Sequence, residues 1–182
     1  GQSQLAYELL TQTTFPSFGY QIREGATTLW ERWEYLDSPN VFNSHSHPFA
    51  GSVDAWFYKN FGGIQLMDGH YGFSQTVLRP LLVKGMDYAS ASVDSVYGLV
   101  SSAWKRDNGQ LVYEVTVPGN TQALVCVPKN GFPSPVVREG DQVVWSQGRP
   151  SPVEGLWDGK EEAEYITFQA GAGSYRFTVT NE

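Results

Sequence analysis

Residues 44–64, SHSHPFAGSVDAWFYKNFGGI, mark the point at which the chain changes from one type of secondary structure to another. The second half of this stretch spaces apolar side chains three and four residues apart, at Val53, Trp56, Phe57 and Phe61. That spacing is the period of an amphipathic helix, and the Gly62-Gly63 pair is typical of a helix end. The pattern predicts a helix over residues 49–62 and a different kind of structure after it.

The residues before this stretch also follow a helical period. Apolar side chains recur at Leu5, Tyr7, Leu9 and Leu10, and again at Leu29, Trp30, Trp33 and Leu36. This predicts helices over residues 3–13 and 28–37. Phe15–Gly19 and the polar stretch Asp37–His45 are predicted to separate the three helices.

Beyond about residue 70 the sequence consists of short β-type runs separated by turn residues. The predicted strands are Thr76–Arg79, Val96–Trp104, Leu111–Val117, Ala123–Val127, Asp141–Trp145, Tyr165–Phe168 and Tyr175–Thr180. Asn108-Gly109 and Gly171-Ala-Gly173 supply residues that tolerate the positive φ of tight turns. Because no helical pattern interrupts these strands, residues 69–182 are predicted to form an antiparallel β-sandwich.

The helical part does not account for its own apolar surface. Three short helices cannot enclose each other's apolar faces, because a bundle needs matched stripes on every helix. Residues 1–68 are therefore expected to be an incomplete helical domain. The chain starts at Gly1 with no signal-peptide pattern, so we expect it to be a piece of a longer protein.

Composition excludes several classes of function. A net charge of −7, with 12 scattered Lys and Arg, disfavours a nucleic-acid partner, and no apolar run is long enough for a membrane helix. The single cysteine, Cys126, lies in an apolar run and is predicted to be buried; it allows neither an intrachain disulfide nor a cysteine-based zinc site. Nucleotide-binding and serine-hydrolase motifs are absent from the sequence.

The segment GATTLWERWEY at 25–35 combines two carboxylates, one arginine and two indoles. Such groups suit a sugar, because carboxylates act on hydroxyls and acetals while an indole packs on the apolar face of a pyranose. Thr28 and Glu31 also have the spacing of a capping box, in which Glu31 would only cap a helix. The residues alone leave both interpretations open.

Two histidines, His45 and His47, follow in the loop before the last predicted helix. A zinc site would need further ligands, and His70 is the only other histidine, so no metal site is predicted. One histidine donating a hydrogen bond to a sugar hydroxyl is the simpler interpretation. His47 is the better candidate, because Pro48 and Gly51 fix the loop that carries it.

The segments GATTLWERW at 25–33 and SHSHPFAGSVDAWFYKNFGGI at 44–64 resemble the end of the catalytic domain of the α-L-rhamnosidases of glycoside hydrolase family 78. In the β part, PLL at 80–82, ASAS at 89–92, YGLVSSAW at 97–104 and VPGNT at 117–121 resemble the C-terminal sandwich of the same enzymes. The resemblance covers nearly the whole chain. It implies an α+β fragment, in which residues 1–68 are the last helices of an (α/α)6 barrel and residues 69–182 the C-terminal β-sandwich.

The resemblance also implies a mechanism. The family inverts configuration, with a carboxylic acid and a carboxylate roughly 6.5–9.5 Å apart on opposite sides of the scissile bond. It implies that Glu31 is the general base, that His47 contacts rhamnose, and that Trp30 and Trp33 line the sugar site. The general acid would come from an upstream part of the barrel, so the chain alone is expected to be inactive. No cofactor is implied, and His45 is given no role.

Other interpretations of the sandwich and of the barrel remain open. The sandwich could be a carbohydrate-binding module with a platform of exposed aromatic residues, taken from Trp104, Trp145, Trp157 and Tyr175, although sandwich aromatics are more often core. It could also be a structural cover for the barrel, or the barrel could act on a different sugar. The expected partners are a rhamnose-containing glycoside or polysaccharide and the upstream part of the same enzyme. The resemblance favours a periplasmic or extracellular location over a cytoplasmic one.

Overall fold

A computed structural model of the chain describes residues 2–35 and 44–182. The chain folds as two compact units, divided between Trp56 and Phe57. The first unit contains short helices and irregular segments, and the second consists almost entirely of strands. The predicted domain boundary at 68/69 stays a prediction.

The first unit begins with two short helices, α1 (Ser3–Thr11) and α2 (Phe18–Arg23). α1 confirms the predicted first helix but ends two residues early, because the backbone at Gln12 turns extended with ψ 140°. α2 was not predicted, since Phe18 and Gly19 were assigned to a separator. Ser17 provides its N-cap, the side chain accepting a hydrogen bond from Tyr20 N–H.

The predicted helix over residues 28–37 is wrong where the structure describes it. Residues 28–35 run as bends and extended backbone, and residues 36 and 37 lie outside the described residues, as does most of the polar stretch 37–45. Thr28 therefore caps no helix, and the capping-box interpretation of Glu31 fails with it. The apolar residues are at helical spacing, but this segment is held by hydrogen bonds to residues that are distant in sequence.

The last predicted helix is confirmed in two parts. A 3-10 turn (Pro48–Ser52) leads into α3 (Val53–Asn60). Gly62 and Gly63 follow it, as predicted. Gly63 has φ 74°, and a Cβ there would lie 2.2 Å from the nitrogen of Pro80, so only glycine fits this close approach.

The second unit is a β-sandwich of two sheets. The strands are β1 (Ile64–Leu66), β2 (Gln75–Leu78), β3 (Tyr88–Ser95), β4 (Gly98–Asp107), β5 (Gln110–Val117), β6 (Gln122–Pro128), β7 (Pro135–Glu139), β8 (Gln142–Ser146), β9 (Arg149–Pro150), β10 (Leu156–Glu161), β11 (Tyr165–Ala170) and β12 (Gly173–Asn181). One sheet has the order β1-β2-β6-β11-β10 and the other β3-β4-β5-β12-β7-β8-β9. All neighbouring strands are antiparallel except β2 and β6, which pair in parallel. The predicted β-sandwich is confirmed.

Alternate residues of facing strands form the core of the sandwich. Fully buried side chains include Leu78, Val100, Leu111, Tyr113, Val125, Val127, Val137, Ile166, Phe177 and Val179. Phe168 from one sheet stacks on Phe177 from the other, with ring centroids 6.2 Å apart. Burial of this apolar surface is the main stabilisation of the second unit.

The seven predicted strands are all present, but five others were missed: β1, β3, β7, β9 and β10. β3 is the largest omission, because YASASVDS is rich in alanine and serine and lacks the β-branched residues typical of strands. The turn at Asn108-Gly109 is confirmed, with φ 47° and 79° in a two-residue hairpin. In the second predicted turn only Gly173 takes a positive φ, 155°.

Three of the four aromatic residues considered for a sugar-binding platform are buried. Trp104, Trp145 and Tyr175 are 2%, 3% and 9% exposed, whereas Trp157 is 44% exposed. Trp104 also donates a hydrogen bond from Nε1 to the carbonyl oxygen of Phe61. These three rings belong to the core, so the proposed platform does not exist in that form.

Cys126 is completely buried in β6, as predicted. Burial raises the pKa of its thiol to about 11 from 9.0. The guanidinium of Arg79 lies over the ring of Tyr165 at 4.2 Å and forms an ion pair with Glu162 at 2.7 Å. Burial also raises the pKa of the phenols of Tyr113 and Tyr165.

The raised pKa values of Cys126, Tyr113 and Tyr165 make the stability of the second unit decrease at alkaline pH. An acid whose pKa is raised by folding ionises first in the unfolded chain, so its contribution is complete below about pH 9 and is lost as the pH rises towards 11. We expect the free energy of unfolding of the second unit to fall over this range. Urea titrations at successive pH values, followed by circular dichroism, check this. Cys126→Ala should show a weaker fall than the native chain, and an identical fall would contradict the assignment to the thiol.

Candidate active site

The site begins at α2, where a close approach of the chain requires glycine. A Cβ at Gly19 would lie 2.3 Å from the carbonyl oxygen of Gln12, so this position admits only glycine. After α2, the Gly25 N–H donates to the carbonyl oxygen of Ile22, and Gly25 takes φ 90°. This turn directs the chain into the segment that holds the predicted site residues.

Residues 28–31 pair with residues 44–47 through main-chain hydrogen bonds. Glu31 N–H donates to the carbonyl oxygen of Ser44, and His47 N–H donates to that of Leu29, both at 2.8 Å. The Thr28 hydroxyl donates to the carbonyl oxygen of His45. The two segments singled out in the sequence are thus held side by side.

Glu31 is held at its backbone and at its side chain by the same residue. In addition to the main-chain bond, its Oε2 accepts a hydrogen bond from Ser44 N–H at 3.0 Å. The residue is exposed. A carboxylate that is fixed through one oxygen keeps its second oxygen for another partner, which is what an acid or base group in a cleft needs.

The two tryptophans that flank Glu31 have different environments. Trp30 is 5% exposed, and its ring lies 5.3 Å from that of Tyr35 and 5.0 Å from that of His45. Trp33 is 39% exposed and packs edge-on against Phe18 at 5.1 Å. Trp30 is therefore anchored in the unit, while Trp33 presents part of its ring to solvent.

The structure gives His45 a surrounding that the sequence did not predict. Its ring stacks on Tyr35 with 4.8 Å between centroids, and its Nε2 is buried with no hydrogen-bond partner among the described residues. His45 thus packs as an aromatic ring against Trp30 and Tyr35. Its backbone carbonyl, rather than its side chain, links it to Thr28.

A cavity of about 570 Å³ lies in the first unit. Its lining residues are Phe18, Gln21, Trp30, Glu31, Arg32, Trp33, Phe49, Ala50, Ser52, Val53 and Trp56. Three of the four predicted site residues, Trp30, Glu31 and Trp33, share this cavity. His47 is not among the lining residues; its ring contacts Phe49 edge-on, with centroids 6.4 Å apart.

Sequence reasoning missed Gln21 and Ser44. Gln21 is the fourth residue of a short helix that was not predicted, and Ser44 acts on Glu31 through its backbone. Neither position has a residue type that signals its role. A glutamine in an apolar neighbourhood, between Phe18 and Ile22, was the only available indication of burial.

Within residues 2–35 and 44–182, no three His, Cys, Asp or Glu side chains are grouped so as to hold a metal ion. In the same part of the chain, no helix is both long enough and apolar enough to cross a membrane.

Two family models match adjoining parts of the chain. The bacterial α-L-rhamnosidase 6 hairpin glycosidase domain matches residues 1–61, and the bacterial α-L-rhamnosidase C-terminal domain matches residues 63–139. A curated α-L-rhamnosidase of Streptomyces avermitilis is 37% identical over 184 residues, covering 98% of this chain. The chain spans only 16% of that relative's length.

Solved structures agree with these matches. The α-L-rhamnosidase from Dictyoglumus thermophilum superposes with a TM-score of 0.87 and 39% identity over 100% of this chain and 19% of its own. The Streptomyces avermitilis α-L-rhamnosidase complexed with L-rhamnose gives a TM-score of 0.78 and 34% identity over 99% of this chain and 16% of its own. Both solved structures are of α-L-rhamnosidases.

The chain belongs to the bacterial α-L-rhamnosidase family and corresponds to the end of the six-hairpin domain followed by the C-terminal domain. This confirms the predicted fold class, the last helices of an (α/α)6 barrel followed by a β-sandwich.

The unequal burial of the two tryptophans can be tested by truncation. We expect Trp30→Ala to lower the free energy of unfolding of the first unit by about 3–5 kcal/mol, because it empties a buried site. Trp33→Ala should cost about 1 kcal/mol or less, because its ring is partly solvated. Urea titration followed by circular dichroism and by amide hydrogen exchange of residues 44–47 measures both. Equal costs would contradict the distinction.

Proposed function

We propose that this chain is the C-terminal part of an inverting α-L-rhamnosidase that hydrolyses terminal α-L-rhamnosides, and that Glu31 is its general base. The observation that carries the proposal is the carboxylate of Glu31 at the cavity, between Trp30 and Trp33 and fixed by Ser44 N–H. A relative of the family is known as a complex with L-rhamnose, which supports a rhamnose-containing substrate.

The geometry of Glu31 suits the role of a base. Inversion requires a carboxylate that takes a proton from water as the water attacks the anomeric carbon. Ser44 N–H occupies Oε2, so Oε1 is the oxygen we assign to the water. Holding the base by a backbone donor keeps the carboxylate oriented without a conformational search, which is the benefit of a preorganised site.

The two tryptophans have separate roles in this proposal. The partly exposed ring of Trp33 packs on the apolar face of the sugar, while the buried ring of Trp30 holds the cavity wall behind Glu31. His47 donates a hydrogen bond to a rhamnose hydroxyl. The hydrogen bond from His47 N–H to the carbonyl oxygen of Leu29 supports this role, because it ties His47 to the segment that carries Glu31.

The general acid belongs to the part of the enzyme that precedes this chain. Inverting pairs stand roughly 6.5–9.5 Å apart, so the acid would lie across the cavity from Glu31. We also propose that residues 1–68 complete the catalytic barrel and that residues 69–182 form the C-terminal sandwich, with a structural role. The upstream part of the same enzyme is the expected partner of the first unit, whose Leu5, Leu9, Phe15 and Ile22 are at least half exposed.

Glu31→Gln in the complete enzyme tests the base. The substitution keeps the shape of the side chain and removes its basicity, so we expect kcat for an aryl α-L-rhamnoside to fall by about 10²- to 10⁴-fold while rhamnose binding persists. Glu24→Gln is the matched control, because Glu24 is an exposed carboxylate whose partner is Arg23. Native-like turnover by Glu31→Gln would overturn the assignment.

The isolated chain provides a second test. Without its acid, the site leaves the departing oxygen unprotonated, so we expect no turnover of unactivated rhamnosides by residues 1–182 alone. Release of free rhamnose from a rhamnosyl disaccharide measures this. Turnover that scales with chain concentration and disappears in Glu31→Gln would contradict the placement of the acid outside the chain.

A further inference from the structure

Gln21 is the most deeply buried polar side chain at the cavity, and no role in the proposed reaction has been given to it. It is 3% exposed in α2 and lines the cavity together with Glu31, Trp30 and Trp33. Burying an amide side chain carries a desolvation cost unless its polar atoms find partners. A glutamine at this place therefore has a specific hydrogen-bonding task.

The partner of Gln21 lies beside the proposed base. Its Nε2 donates a hydrogen bond of 2.8 Å to the carbonyl oxygen of Arg32, eleven residues further along the chain. That carbonyl belongs to the peptide unit between Arg32 and Trp33. The bond thus fixes the peptide that joins Arg32, the neighbour of Glu31, to the partly exposed Trp33.

The backbone of Gln21 is held as firmly as its side chain. Its N–H donates to the carbonyl oxygen of Ser17, and its own carbonyl oxygen accepts from Ala26 N–H at 2.9 Å. The position of Gln21 in the first unit is therefore fixed at its backbone, and its side-chain amide extends from there to the carbonyl oxygen of Arg32. Residues 31–34 run as bends outside any helix or strand, so this side chain supplies part of what a helix or sheet would otherwise supply.

We propose that Gln21 is a positioning residue of the rhamnosidase site, which holds Glu31 and Trp33 in their catalytic orientation by donating to the Arg32 carbonyl. The inference rests on the proposed function of Glu31. Ser44 holds Glu31 on one side, through its N–H and its carbonyl oxygen. Gln21 holds the Arg32–Trp33 peptide, so the base and the sugar-stacking ring are fixed relative to each other.

The test uses two substitutions in the complete enzyme. Gln21→Met keeps the volume of the side chain and removes the donor. Gln21→Glu also keeps the shape, but its ionised carboxylate has no proton to donate to the Arg32 carbonyl, whereas its protonated form has one. Burial and the facing carbonyl favour the protonated form, so the introduced carboxyl should regain its donor as the pH falls.

We expect Gln21→Met to lose about 10- to 100-fold in kcat at every pH, with a smaller change in KM, because a small displacement of a catalytic group has an effect of that order. Gln21→Glu should show the same loss where its carboxyl is ionised. The ratio of kcat for Gln21→Glu to native kcat should rise as the pH falls. The same ratio for Gln21→Met should stay flat. Glu31 and Arg32 are the charged residues that line the cavity with Gln21. Gln21→Met leaves their charges unchanged and adds none, so it is the reference against which the pH dependence of Gln21→Glu is compared. Gln2→Glu, at an exposed glutamine, is the matched control and should match the native enzyme.

Native kcat in Gln21→Met, or a ratio for Gln21→Glu that stays low as the pH falls, would overturn the proposal. Circular dichroism and the melting temperature establish that each variant is folded, and Gln21→Met keeps the test available if the carboxyl is not tolerated. Glu31→Gln measured alongside separates the two hypotheses. If it is inactive while the Gln21 variants are native-like, only the positioning role fails; if it is native-like, the proposed base fails.

Discussion

The hydrogen-bonded pairing of residues 28–31 with residues 44–47 is the constraint on which the candidate site depends. Two main-chain bonds and the Thr28 hydroxyl join segments that are otherwise without regular secondary structure. Each bond gives a partner to a backbone group whose burial without a hydrogen bond would cost free energy. Because Glu31 and His47 are themselves members of this pairing, the site residues cannot move apart without breaking it.

The aromatic residues add a second layer to the same constraint. Trp30, Tyr35 and His45 pack with centroid distances of 4.8–5.3 Å, which fills the space beside the paired segments. Aromatic contacts of this kind contribute roughly 0.5–1.5 kcal/mol each beyond the apolar area they bury. Trp33 lies outside this cluster, so two neighbouring tryptophans of one motif have unlike environments, one buried and one partly exposed.

The two units differ in how completely they bury their apolar side chains. The sandwich buries a continuous apolar core between two sheets, including ten or more side chains with almost no exposure. The first unit leaves leucine, phenylalanine and tryptophan side chains partly in solvent and has no buried residue in α1. Exposed apolar surface of this extent is typical of a surface that another part of a protein covers. A candidate site in this unit is consistent with the proposal that the catalytic groups are divided between this chain and an upstream part of the same enzyme.

Periodicity and turn chemistry by themselves determined the change from helices to strands along the chain, the β-sandwich, the Asn108-Gly109 hairpin and the burial of Cys126, because each of these depends on residues close in sequence. The family motif likewise directed attention to Glu31 and its tryptophans. The prediction from the sequence was wrong at residues 28–35, where helical spacing was present but hydrogen bonds to residues 44–47 replaced those of a helix. It also missed β3, whose alanines and serines form a strand only because β4 pairs with them. The contacts of the Gln21 side chain, the Ser44 main chain and the His45 ring were decided by tertiary structure alone. Their partners Arg32, Glu31, Trp30 and Tyr35 are ten or more positions away, and only the folded chain brings them within hydrogen-bonding or stacking distance.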